Sequence, residues 1–302
     1  LDLGLRKKIA KFCNVSVNAV IEARDADSIY DVPLLMQTEE LDTVVLEKLG
    51  LSRKQAPKLD NWKSFLERLK NPKNTVKIGL VGKYVELKDA YKSISEAFIH
   101  AGVANETKVE LNWIHSESID SDNVSEQLAG LDGILVAPGF GSRGIDGKIA
   151  AVRYARENNI PFLGICLGMQ IAVIEFARHV LGLSDAHSTE MSEQTKAPVI
   201  SMMEEQKLIS NMGGTMRLGA YKCELKPNSN AAKAYQTINI TERHRHRYEF
   251  NNEFLTQYEA QGMMATGKNP ETGLVEVVEI PTHPWFVGVQ FHPEYKSTVD
   301  AP

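Results

Sequence analysis

Between Val76 and Ile165 four apolar, β-rich runs alternate with three helical patterns. The strand candidates are "VKIGLVGKY", "KVELNWI", "GILVAPGFG" and "PFLGI"; "LKDAYKSISEAFIHAG" (ending at Gly102), "VSEQLAGL" and "KIAAVRYAREN" are helical between them. Helical crossovers of this length join parallel neighbours, so the sheet must be covered on both faces. The fold class expected is therefore α/β, a doubly wound and mostly parallel sheet. Function in such sheets gathers beyond the carboxyl ends of the strands. The later part is richer in strands: "PVISMM", "GTMRLGAYKCEL", "TINITERHRHRYEF", "LVEVVEI" and "WFVGVQFHPEY" read as added antiparallel strands around the same sheet.

The region before Val76 has a different texture. "SIYDVPLLMQTEELDTVVLEKLGL" predicts one or two helices, and the polar "SRKQAPKLDNWKSFLERLKNPKN" a linker with a short helix from about Asp60 to Leu69. Seventy such residues are too few for a separate core. The division expected is residues 1–57 as the end of a preceding domain, 58–75 as linker and 76–302 as the α/β domain. The first residue is not methionine, so a longer protein is expected. Of 302 residues 43% are hydrophobic, enough for a large core, and the net charge of −5 offers no basic surface for nucleic acid. No apolar run approaches the roughly 20 residues of a membrane span. The start, "LDLGLRKKIAKFC", has no signal-peptide pattern, and Cys13, Cys166 and Cys223 form no pairing pattern. A reducing, cytoplasmic setting is expected.

One of these cysteines stands at a junction. Gly164-Ile165-Cys166-Leu167-Gly168 is a G-x-C-x-G turn between strand and helix, the thiol counterpart of the G-x-S-x-G nucleophile elbow. The helix N-terminus behind such a cysteine favours thiolate, and the Leu167 N–H can face a developing oxyanion. An ordinary buried cysteine fits the same turn. A thiol nucleophile needs a base and a group to orient that base. The last strand ends in "GVQFHPEY", where period-two alternation puts His292 and Glu294 on one side, with Pro293 holding His292 extended. The Pro138-Gly139-Phe140-Gly141 loop is either turn chemistry or a second oxyanion donor, Gly139, with Phe140 as a pocket wall. Pro138 has no N–H to contribute.

Together, "GICLGMQ", the glycine loop before it and "FHPE" after it resemble the triad glutamine amidotransferases of class I, which implies a flavodoxin-like sheet. "GKYVELKDAYKSISEA", "DAHSTE", "GGTMRLGAYKCEL", "ERHRHRYEFNN" and "HPWFVGVQFHPEY" resemble the branch of that family joined to an ATP-dependent amidoligase that aminates UTP. "FCNVSVNAVIEARDADSIYDVPLLM" is similar to the end of that amidoligase domain.

The resemblance implies Cys166 as nucleophile, His292 as base and Glu294 as its orienter. Gly139 and Leu167 become oxyanion donors. Phe140, Gly168, Met169, Gln170, Glu190 and Arg247 join them around the glutamine, Glu190 suiting its ammonium and Arg247 its carboxylate. "GGTMRLG", with Thr215 and Arg217, is similar to a lid associated with activation by GTP. No cofactor or metal is expected in this chain; magnesium, ATP and UTP belong to the amidoligase domain, its partner. A homo-oligomer, a tetramer, is implied for the full-length enzyme. The resemblance implies a terminal helix after "FHPEY" that is cut short here, the chain stopping at Pro302.

Other readings of single motifs are weaker. His244 and His246 in "RHRHR" share a strand face, but interleaved arginines would repel a metal ion. "GLVGKY" around Lys83 imitates a P-loop without its first glycine or its hydroxyl residue. Among whole-chain alternatives, a triad hydrolase serving another synthetase or cleaving γ-glutamyl peptides would keep the triad. It would not be expected to carry "GGTMRLG" or "ERHRHRYE". A non-catalytic regulatory module would be expected to lack a triad residue.

Overall fold

The computed structural model describes residues 1–52, 55–202 and 216–302, and the chain divides into two compact units, Leu1–Asn71 and Pro72–Pro302. The first unit is helical: Leu3–Cys13, Val32–Thr38, Leu41–Lys48 and Asp60–Lys70. Arg6 organises one end, donating to both carboxylate oxygens of Glu39 (3.0 and 2.7 Å) and to the Val20 carbonyl (3.0 Å). At the other, Trp62 Nε1 donates to the Tyr30 carbonyl (2.7 Å) and Phe65 packs on the Tyr30 ring at 4.9 Å. The helix expected in the linker thus makes its contacts with residues around Tyr30. Among the described residues of this unit, Ala10, Val20, Tyr30, Phe65 and Leu66 are its buried apolar side chains.

The second unit is the α/β body. Its strands are β1 (Asn74–Gly82), β2 (Thr107–His115), β3 (Gly133–Val136), β4 (Phe162–Ile165), β5 (Ala186–Ser188), β6 (Ala197–Met202), β7 (Arg217–Leu225), β8 (Asn239–His246), β9 (Tyr248–Phe250), β10 (Met264–Lys268), β11 (Val275–Glu279) and β12 (Phe286–Val289). Among the described residues one sheet has nine strands in the order β2-β1-β3-β4-β12-β11-β10-β7-β8. The ladders from β2 through β12 are parallel, and those from β12 through β8 antiparallel. The α/β class holds, with a parallel half and an antiparallel extension. Successive side chains of a strand serve opposite faces. Val81, Ile134 and Val136 accordingly join one apolar core with helices Ile145–Glu157 and Leu167–His179. Leu80, Leu135 and Ala137 join a second core on the other face, with Ile94 of helix Lys92–Ala104.

Two expectations are corrected. The added strands do not all extend one sheet: β5, β6 and β9 form a separate three-stranded sheet. The run "TINITERHRHRYEF" is divided between the two at Arg247, β8 pairing with β7 and β9 with β6. And β12 belongs with the parallel half, running beside β4 with Gly288 opposite Gly164 and Val289 opposite Ile165. That last pairing positions the site, because the chains leaving β4 and β12 emerge side by side at one sheet edge.

Candidate active site

Cys166 is the residue between β4 and helix Leu167–His179, and its backbone is held at φ 53°, ψ −104°. A non-glycine residue with positive φ is strained, and such strain survives only where the surroundings over-determine it. Here its N–H donates to the Val289 carbonyl (2.7 Å) and its carbonyl accepts from the Gln170 N–H (3.2 Å). The flanking glycines let the helix start close to the sheet. A Cβ on Gly164 would lie 2.6 Å from the Gly168 carbonyl oxygen, and one on Gly168 would lie 2.2 Å from the Val136 oxygen.

Beyond β12 the chain passes through Gln290 and Phe291 to His292, whose N–H donates to the Arg243 carbonyl (2.8 Å). The imidazole Nδ1–H donates to Glu294 Oε1 at 2.8 Å, both side chains being buried. The expected strand alternation is not what joins them: β12 ends at Val289, and Pro293–Tyr295 is a single 3₁₀ turn that brings the carboxylate back to the Nδ1 edge of the ring. Nε2, the other ring nitrogen, is buried with no hydrogen-bond partner. Burial opposes a charge on this ring, but the Cys166 thiol and the Glu294 carboxylate outweigh it, raising the pKa to about 10. Nε2 and Sγ do not reach full hydrogen-bond geometry here, but the thiol is near enough to act on the ring both as a hydrogen-bonding partner and as a charge. A free enzyme often tightens such a contact only with substrate bound.

The pocket over the thiol has a volume of about 290 Å³ and is lined by Gly139, Phe140, Gln170, Glu190, Arg247 and their neighbours. Gln170, one turn beyond Cys166, donates through Nε2 to the Tyr248 carbonyl (2.9 Å) and the Gln290 Oε1 (3.2 Å). Glu190 accepts from the Gly141 N–H (3.2 Å), tying the glycine loop to the far wall. One carboxylate beside Arg245 and Arg247 is a charge pattern that complements a free amino acid.

Not every residue expected at the site lines this cavity. Leu167 and Met169 are buried in the core, and Gly168 lies against Val136. Arg217 opens β7 and is buried, donating to Glu249 Oε1 (3.0 Å) and Glu276 Oε1 (2.9 Å). Its guanidinium is turned into the protein, where the expectation put it in a lid. Thr215 lies outside the described residues. His244 Nδ1 and His246 Nε2 are 2.8 Å apart and bonded to each other.

The sequence reading missed Gln290, a fully buried side chain whose Nε2 lies 3.8 Å from Cys166 Sγ. With β12 ending at Val289, no strand alternation reaches it, and no local pattern singled it out. The other two thiols differ from Cys166: Cys13 is exposed in the helical unit. Cys223 is buried, its pKa pushed up to about 12 by burial and by the Glu276 and Glu242 carboxylates.

A doubly wound sheet with a strained cysteine elbow and a buried histidine–carboxylate pair at one edge defines an acyl-transfer site of the thiol type. The profile described as "Glutamine amidotransferase class-I" matches residues 86–302, and the chain belongs to that family. A second profile, "CTP synthase N-terminus", matches residues 1–51. The CTP synthase of Cytophaga hutchinsonii is 66% identical over 302 residues, which are 100% of this chain and 56% of that protein. That of Flavobacterium johnsoniae is 63% identical with the same coverage. The chain thus spans 56% of the length of these relatives. Among solved structures, a Trypanosoma brucei CTPS glutaminase domain with bound acivicin matches with a TM-score of 0.71. It is 39% identical and covers 75% of this chain and 89% of its own.

Proposed function

We propose that this chain is the glutaminase portion of a CTP synthase: it hydrolyses L-glutamine and supplies the ammonia that aminates UTP. The observation that carries the reading is the strained Cys166 elbow beside the buried His292–Glu294 pair, opening on one cavity with Glu190 and Arg247. Glu190 receives the ammonium of glutamine and Arg247 its carboxylate. His292 Nε2 takes the thiol proton and Sγ attacks the side-chain amide carbon. The tetrahedral oxyanion is met by the N–H groups of Gly139 and Leu167. Collapse of this intermediate breaks the C–N bond, His292 returns the proton to the leaving nitrogen, and ammonia departs from a thioester. Water then attacks the thioester with His292 as base, releasing glutamate and the thiol. Glu294 holds the ring's tautomer and its charge.

In this reading residues 1–57 end an amidoligase domain, residues 58–75 link it to the glutaminase, and ATP, magnesium and UTP are handled by that domain. GTP acts as activator through the segment that holds Thr215. The whole enzyme is a cytoplasmic homotetramer. Nothing in the chemistry of residues 76–302 needs a metal or cofactor.

Labelling tests the reading. A glutamine-mimicking diazoketone modifies Cys166 alone, with glutamine protecting, and Cys166→Ala loses glutamine hydrolysis by on the order of 10⁴-fold or more. In the full-length enzyme the same substitution spares CTP formation from free ammonia and abolishes it from glutamine. Modification of Cys13 or Cys223 instead, or loss of the ammonia-dependent reaction in folded Cys166→Ala enzyme, overturns it. Preferential turnover of γ-glutamyl peptides moves the chain to the related hydrolases.

A further inference from the structure

Two lysines that the chemistry above does not use lie under the glycine loop. Lys148, on helix Ile145–Glu157, is completely buried, and its Nζ donates to the Ala137 carbonyl at 3.1 Å. Lys83, just beyond β1, is also buried, and its Nζ donates to the carbonyls of Phe140 and Gly141. The carbonyls on either side of Pro138-Gly139 are therefore drawn toward two ammonium groups. A Cβ placed on Gly139 would lie 3.9 Å from Lys148 Nζ, 4.0 Å from Lys83 Cε and 3.6 Å from Leu167 Cδ2. Both cations thus lie close behind the residue assigned as an oxyanion donor.

Full burial of lysine is rare without an ionic partner, because an uncompensated charge is costly away from water. Among the described residues the recorded partners of both ammonium groups are backbone carbonyls, not carboxylates. The charged groups that bear on Lys148 are Lys83, which repels its proton, and the Cys166 thiol, which retains it. Arg143, Glu190 and Glu117 bear on Lys83. Burial and Lys83 together lower Lys148 to about 7. The anion that would balance such a charge is one the reaction makes: the thiolate, and then the oxyanion.

We propose that Lys148 is a positioning residue for the nucleophile: it fixes the root of the Pro138–Gly141 loop through Ala137 and sets, behind that loop, a positive charge that favours the Cys166 thiolate. Lys83 pins the far end of the same loop. This rests on Cys166 being the nucleophile. It also accounts for the "GLVGKY" run that imitates a phosphate loop: its lysine faces backbone carbonyls.

The test is alkylation of Cys166 by iodoacetamide across the pH range, resolved by peptide mass spectrometry in the intact protein and in Lys148→Met. Methionine keeps an unbranched apolar stem and removes the charge. In the folded variant the alkylation rate at pH 7 falls about 10-fold or more, and its midpoint moves up by about one pH unit. An unchanged midpoint overturns the role of Lys148 and leaves the glutaminase reading standing. Failure of Cys166 to react in the unsubstituted protein overturns both. Should Lys148→Met not fold, the reciprocal measurement serves. With lysine ¹³C-labelled at Cε, Lys148 titrates at lower pH in Cys166→Ala than in the unsubstituted protein. No displacement there refutes the coupling.

Discussion

Gly168→Ala isolates the geometry of the elbow. The added Cβ would sit 2.2 Å from the Val136 oxygen, 3.1 Å from the Val136 carbonyl carbon and 3.4 Å from its Cβ. The obstacle is backbone of β3, held between β1 and β4, so no side chain can rotate away. A carbon–oxygen contact settles near 3.3 Å, so the helix start must move by about 1 Å relative to the sheet. Overpacking of this kind costs about 1–3 kcal/mol, offset by up to about 1 kcal/mol from the better helix propensity of alanine. The net loss expected is about 1–2 kcal/mol. Cys166 rides on the displaced helix start, and a misplacement of about 1 Å costs on the order of 10²-fold in rate. Urea denaturation and glutaminase kcat/KM measure the two effects. Gly182→Ala is the control: φ is +73° and nothing lies within 4 Å, so it costs about 1–2 kcal/mol through backbone strain alone, with unchanged catalysis. Glutaminase within about twofold of the parent, in a Gly168→Ala protein as stable as the parent within about 0.5 kcal/mol, would refute the close-packing account.

Two further predictions concern protons. Because the Cys166 thiol is a principal cause of the elevated His292 value of about 10, the imidazole titrates at lower pH in Cys166→Ala, as read from its ring proton shifts by NMR; an unchanged titration removes the thiol from the ring's surroundings. Glu249 is raised to about 8, first by burial, then by Glu276, against the attraction of Arg217. Its folded value exceeds the unfolded one, so the folded state holds the proton longer and stability falls as pH rises from about 4.5 through 8. Glu249→Gln keeps an acceptor for Arg217 and removes that ionisation. Its thermal midpoint therefore falls less than the parent's between pH 5 and pH 8, and parallel pH profiles for the two proteins count against the assignment.

What the sequence determined by itself was what local pattern can carry. Strand and helix periods between Val76 and Ile165 specify a covered parallel sheet, and the profile and structural likeness agree with the amidotransferase resemblance read from its motifs. Gly164 and Gly168 mark a close strand-to-helix crossing because a glycine is needed where backbone meets backbone. β10 went unread because "MATGK" is short and carries a glycine, Gly267, that lies against Val277 and Cys223. The remainder was decided by partners distant in the chain. Nothing near Arg247 signals that one β-rich run will serve two sheets; that depends on β7 and β6 each claiming part of it. Arg217 reads as a lid residue until Glu249 and Glu276, 32 and 59 positions away, take its guanidinium. In the sequence Lys83 reads as part of an imitation phosphate loop, and Lys148 as one more residue of the helical run "KIAAVRYAREN". Only the tertiary structure sets them beneath Gly139, because an ammonium's meaning depends on which carbonyls and anions the fold brings within reach, and periodicity along the chain does not encode that distance.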